Sequence, residues 1–127
     1  MKTIPHPTFG NGKICYIEIP AVNIHDSASF YYSVFGWNVR TSSDGTLSFD
    51  DGVGEVSGRW VTGLNSASES GYRISIMVTN IQTTIDLIIA NGGRLIQEHD
   101  IRSAQKFASV TDPAGNVLGL YEHKLVS

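Results

Sequence analysis

Two stretches of the chain alternate with period two. Across residues 14–19, Cys15, Ile17 and Ile19 point one way while Ile14, Tyr16 and Glu18 point the other. Across residues 73–78, Ile74, Ile76 and Val78 face one side and Arg73, Ser75 and Met77 the other. Such alternation predicts half-buried strands. Each stretch runs into an asparagine, Asn23 or Asn80, and then into helical spacing. An Asn side chain accepts a hydrogen bond from a free N–H of a first helical turn, so both are expected N-caps. Ile24, Ala28, Tyr31 and Phe35 make one apolar stripe, and Ile81, Ile85, Ile88 and Ile89 a second. Gly36, and Gly92 with Gly93, supply the helix stops.

Three short strands are expected after each helix, roughly 37–42, 46–50 and 55–62, then roughly 94–100, 106–111 and 116–122. "SSDG", "DDGVG" and "TDPAG" provide turns between them. The chain therefore reads as α+β: strand, helix and three strands, twice over. The repetition extends to single residues. Ile17, Ile19, Asn23 and Ile24 recur 57 positions on as Ile74, Ile76, Asn80 and Ile81. In the closing strands the offset is 61: Asp51, Gly54, Val56, Gly58 and Trp60 recur as Asp112, Gly115, Val117, Gly119 and Tyr121. Two equivalent modules, residues 13–63 and 72–124, are expected within one domain spanning 1–127. Residues 1–12, rich in Pro and Gly, read as a flexible arm, and 64–71, "LNSASESG", as a small-polar linker.

Composition removes several function classes. A formal charge of −3 with scattered Lys and Arg leaves no footprint for nucleic acid. No apolar run approaches the ~20 residues of a membrane span, and no apolar stretch follows Lys2 as in a secretory signal. The lone Cys15 excludes an internal disulfide and a cysteine-based zinc cage, which suits a cytoplasmic setting. Cys15 is expected on the helix side as an inert core residue, and Trp37 as an anchor of the sheet behind the first helix.

The run "IEIPAVNIHDSASFYYSVFGW" followed much later by "TDPAGNVLGLYEH" resembles the glyoxalase / bleomycin-resistance / extradiol-dioxygenase superfamily, also called vicinal oxygen chelate. The resemblance covers about Ile14 to His123. It implies βαβββ modules whose curved mixed sheet forms a cup with helices outside, a small molecule bound in the cup, and a homodimer. The strand edges left open would also suit a second chain. In many such proteins the cup holds a divalent metal on four ligands from the first and last strands of the modules. Matched on the caps and "DPxG", those places carry Tyr16, Gly58, Arg73 and Gly119. Gly offers no side-chain donor, Arg is a permanent cation, and Tyr ligates only as phenolate. The usual metal site is thus expected to be absent, and no cofactor is expected. A displaced site would have to combine Glu18 with His6, His25, His99 or His123. These histidines otherwise read as solvated or edge residues, since no pair has i, i+4 spacing.

Alternation places Tyr16, Glu18, Val56, Gly58, Trp60, Arg73, Ser75, Met77, Val117, Gly119 and Tyr121 on the cup face. The candidate ligand-binding set is Tyr16, Glu18, Trp60, Arg73, Ser75, Met77 and Tyr121. Trp60 and Tyr121 would sandwich a flat ligand, or pack on each other or a partner. Glu18 and Arg73 read as a mutual pair. Alternatively, Arg73 grips a carboxylate or phosphate, or Glu18 is a general base with Arg73 or Tyr16 steadying an enolate. Three functions follow: a metal-independent domain binding a small, anionic or aromatic molecule; a lyase or isomerase acting on a small carbonyl compound; or an interaction subunit of a larger assembly.

Overall fold

A computed structural model describes residues 6–66, 73–98 and 106–122. The elements are β1 (Tyr16–Pro20), α1 (Ile24–Phe35), β2 (Asn38–Thr41), β3 (Leu47–Asp50) and β4 (Ser57–Val61), then β5 (Ile74–Val78), α2 (Ile81–Ala90), β6 (Arg94–Glu98), β7 (Lys106–Thr111) and β8 (Val117–Glu122). The order βαβββ occurs twice, as the alternation predicts. Each module makes its own four-stranded sheet, in the orders β1-β4-β3-β2 and β5-β8-β7-β6. The first strand of each pairs parallel with the last, and the other pairings are antiparallel.

Both expected caps form. Asn23 accepts from the Asp26 N–H at 3.0 Å and Asn80 from the Thr83 N–H at 2.9 Å. Gly36 stops α1 in the left-handed region, φ 69°. Glu122 at the end of β8 adds a second cap to α2, accepting the Ile81 N–H at 2.8 Å. One helix covers one face of each sheet, and the two helices also touch each other. The buried side chains make a single cluster spanning both modules, from Ile19, Phe30, Tyr31, Phe49 and Trp60 to Ile81, Ile85, Ile88, Val110 and Leu120. Trp37 takes the anchoring place expected of it, stacked at 4.6 Å on both Tyr31 and Phe49. Two polar bonds tie the β7–β8 turn to the first module: Tyr31 Oη donates to Asp112 at 2.9 Å, and Asn116 Nδ2 to the Pro20 carbonyl at 2.7 Å.

The closing turns of the modules differ by one residue. The Asp112 N–H bonds to the Asn116 carbonyl at 3.0 Å, whereas the Asp51 N–H bonds to the Val56 carbonyl at 2.8 Å. The two aspartates, and the positive-φ glycines Gly54 and Gly115, keep the 61-residue offset. Past those glycines the first turn holds one residue more. The strand pairings record the result: Ile17 lies opposite Gly58, but its counterpart Ile74 lies opposite Leu118. A slip of one residue exchanges the faces of a strand. Gly58 and Trp60 therefore lie with Ile17 and Ile19 on the helix side, not on the cup face with Tyr16 and Glu18 as the echo predicts. The structural counterpart of Gly119 is Arg59.

Three other expectations change. Cys15 precedes β1 and is exposed, not a core residue. Of the expected arm 1–12, residues 1–5 lie outside the described residues, and the rest is tied to the first module: Glu55 accepts the Thr8 N–H at 3.0 Å, meets the His6 ring at 2.5 Å and takes Lys13 Nζ at 3.1 Å. Of the expected linker 64–71, only 64–66 fall within the described residues. There Ser66 Oγ donates to the Ala114 carbonyl at 2.5 Å.

Candidate functional site

With helices on one side of each sheet, the opposite faces are open in part; on the second, Ser109, Thr111 and Val117 are buried. Tyr16 is 52% exposed, Met77 64% and Phe107 44%. These faces carry most of the side chains expected in a cup.

The open face of the first sheet is a polar network already satisfied within itself. Glu18 does not pair with Arg73; its carboxylate takes Arg59 at 2.8 Å. That pairing raises the Arg59 guanidinium further above its ordinary range. Asp50 accepts from Ser57 Oγ at 2.7 Å, Asn38 Nδ2 at 3.1 Å and Arg40 at 3.0 Å. The Ser57 hydroxyl, ahead of Asn38 and Arg40, holds the Asp50 carboxyl below its ordinary value. Glu18 as a general base would have to give up Arg59. Arg73, named as its oxyanion partner, belongs to the other sheet.

The second sheet presents a different face. Pairing sets Ser75, Gly119, Ser109 and Gln97 side by side across its four strands, and Met77, Tyr121 and Phe107 in the next row. Phe107 and Tyr121 rings meet at 5.4 Å. Arg73, just before β5, donates from Nη1 to Ser109 Oγ at 3.2 Å. The bare Gly119 lies beside Ser75 and the Arg73 stem. A Cβ there would sit 2.6 Å from Ser75 Oγ and 3.5 Å from Arg73 Cδ. Gly58 has another cause for being bare: a Cβ would stand 2.0 Å from the Ile17 carbonyl and 2.5 Å from Phe49 Cζ.

Trp60 is 3% exposed and packs against Phe49 and Tyr31, with ring centroids at 4.9 and 5.9 Å. It cannot sandwich a ligand with Tyr121. Tyr16, Glu18, Arg73, Ser75, Met77 and Tyr121 do lie on open faces, divided between the two sheets. The sequence reading passed over Arg59, Phe107, Ser109 and Gln97. For Phe107 and Ser109 the signal was present, since they alternate with buried Ala108 and Val110 in "KFASVT".

A cleft of about 640 Å³ opens between the end of α1, the 51–56 turn and β5, and Ser75 and Met77 of the open face also line it. Its walls include Ile17, Phe35, Trp37, Phe49 and Ile76. Asp51 is its one carboxylate, and Asp51 Oδ1 is already used by the N–H groups of Glu55 and Val56. The cleft walls are mostly apolar, and the guanidiniums with reach toward a ligand are on the open faces.

Among the described residues no group of three or more His, Cys, Asp or Glu side chains comes together. His6 is held by Glu55 and His25 is exposed in the first turn of α1, while His99 and His123 lie outside the described residues. The places that the family resemblance associates with metal ligands carry Tyr16, Arg59, Arg73 and Gly119 once the register is corrected. A phenol, two guanidiniums and a bare Cα do not fit a divalent cation. Among the described residues no helix is long and apolar enough to cross a membrane.

Known proteins agree with this architecture. A family profile described as "Glyoxalase-like domain" matches residues 16–121. A "Glyoxylase-like domain-containing protein" of Didymella fabae is 28% identical over 102 residues, covering 69% of this chain and 74% of that protein. A glyoxalase/bleomycin resistance protein/dioxygenase family enzyme from Burkholderia phytofirmans shares the fold with a TM-score of 0.68 at 18% identity, over 84% of this chain and 95% of that one. The fosfomycin resistance protein FosX from Mesorhizobium loti also gives 0.68, at 11% identity, over 92% and 96%. The chain belongs to the glyoxalase-like domain family.

Proposed function

We propose that this glyoxalase-like domain binds a small molecule on the open faces of its sheets and does so without a divalent metal. The observation that carries the reading is the set Tyr16, Arg59, Arg73 and Gly119, which the strand register puts at the places that the family resemblance associates with metal ligands. Three of the four are side chains of the wrong charge or donor type, and the fourth has none. The family's usual way of fixing a substrate, through its oxygens on a metal, has no donors here, so binding rests on the guanidiniums, hydroxyls and rings of the faces themselves. A homodimer belongs to the same reading: each open face is half a cup, and a second copy would close it. A cytoplasmic setting fits the single exposed thiol.

The test has two parts. The protein is equilibrated with zinc, nickel and manganese in turn, dialysed, and its metal content measured. Substoichiometric metal is expected; one tightly held ion per chain would overturn the metal-free reading. A panel of small aromatic and carbonyl fragments is then screened by NMR. Shifts should fall on residues of the open faces such as Tyr16, Met77 and Tyr121. Shifts confined to the apolar cleft beside Phe35 and Trp37 would move the site there.

A further inference from the structure

We propose that the open face of β5-β8-β7-β6 takes a small planar carboxylate, with Arg73 holding the charged head and Met77, Phe107 and Tyr121 receiving the apolar body. The inference rests on the reading that the open faces bind a small molecule, and it names the chemistry of that molecule.

Polarity is sorted by row on this face. Met77, Tyr121 and Phe107 stand in register at one level; Ser75, Gly119, Ser109 and Gln97 stand in register at the next. Rows two residues apart along a strand are separated by about 7 Å. One aromatic ring with a carboxylate on it spans that distance. Met77 and Phe107 are large apolar side chains left in solvent, beside the half-buried Tyr121. Their company is a row in which the exposed Ser75 hydroxyl and Gln97 amide can donate to an oxyanion, while Ser109, 4% exposed, accepts from Arg73.

Arg73 and Arg94 are both cations of this surface: Arg94 on β6 lies opposite Thr111, and Arg73 reaches the hydroxyl row. The Arg73 stem crosses β8 over the bare Gly119 and sets Nη1 3.2 Å from Ser109 Oγ on β7. The arginines of the other open face are differently occupied: Arg40 holds Asp50 at 3.0 Å and Arg59 holds Glu18 at 2.8 Å. Arg73 rests on a neutral hydroxyl, and among the described residues no carboxylate pairs with it. A guanidinium has five N–H donors in a fork that matches a carboxylate with two parallel bonds. The carboxylate that Arg40 and Arg59 find within the chain would come to Arg73 from the ligand.

The experiment titrates the full chain with benzoate and with benzamide, its neutral isostere, following amide shifts by NMR. Benzoate should bind about tenfold or more tighter than benzamide, shifting Ser75, Ser109, Gly119 and Tyr121. Arg73→Ala should bring benzoate down to the level of benzamide and leave benzamide unchanged. Arg73→Lys, which keeps charge but loses the fork, should fall between. Equal affinities in the unaltered protein, or a preference that survives Arg73→Ala, would overturn the inference. If benzamide binds this face and benzoate binds no tighter, the anion site fails while the cup reading stands. If neither perturbs either open face, both fail.

Discussion

Tyr31 on α1 donates its phenolic hydrogen to Asp112, 81 residues away, at 2.9 Å. Both are almost wholly buried. The Asp112 carboxylate also accepts the N–H groups of Ala114 and Asn116 and the Asn116 side-chain amide. A buried charge is tolerated when its oxygens are fully bonded. Removing one donor leaves a hole in that shell, so Tyr31→Phe should destabilise the protein by about 1–3 kcal/mol. Urea unfolding of the two proteins checks it.

The same tyrosine sets an alkaline limit. Burial, then the Asp112 charge and hydrogen bond, raise its pKa well above the ordinary 10.0. A raised folded pKa means that its stabilising effect is whole below the unfolded value and is lost as pH climbs through the folded one. Stability should therefore decline above about pH 10, and Tyr31→Phe should flatten that decline. Denaturation midpoints measured from pH 8 to 11 would show whether it does.

Glu55 ties residues 6–13 to the first module. The Thr8 amide, then Lys13 and His6, lower its carboxyl from 4.5 to about 2. A lowered folded pKa works in the opposite sense: the tie is complete above about pH 4.5 and is lost as pH falls through about 2. Glu55→Gln should release the segment at neutral pH. Faster proteolysis and faster Thr8 amide exchange are expected, with little change in the global unfolding midpoint.

The two glycines of the repeated turn and strand should respond differently to the same substitution. At Gly58 a methyl meets backbone at 2.0 Å and a buried ring at 2.5 Å, so Gly58→Ala should cost about 3 kcal/mol or more, or prevent folding. At Gly119 the nearest atoms belong to the Ser75 and Arg73 side chains, which can turn aside. Gly119→Ala should stay within about 1 kcal/mol. Equal costs at the two positions would contradict the assignment of their faces.

Local rules made the architecture readable. Alternation gave the strands, Asn23 and Asn80 marked the helix starts, and "KFASVT" and "VLGLYE" fell within a residue of their observed bounds. What escaped was non-local or depended on counting. The echo of identities puts Trp60 on the wrong face, because it keeps an offset of 61 across a turn whose backbone is one residue longer. Cys15 continued the alternation of Ile17 and Ile19, but the strand begins after it. The bond from Tyr31 to Asp112 joins elements with no pattern in common, so nothing in the chain announces it.

If the open faces meet across two copies, sedimentation should give twice the chain mass. Met77→Asp, which places a charge among Phe107 and Tyr121, should shift the protein toward monomer. A monomer in the unaltered protein at high concentration would leave each face to work alone.

The first closing turn carries a constraint unlike that on most surface loops, which tolerate insertions and deletions freely. Gly52 and Val53 there are exposed, and their identities are open to change. The number of residues is not. Losing one would carry Arg59 into the space beside Phe49 and push the Trp60 indole into solvent, although no buried residue had been substituted. The turn is thus permissive in spelling and strict in length.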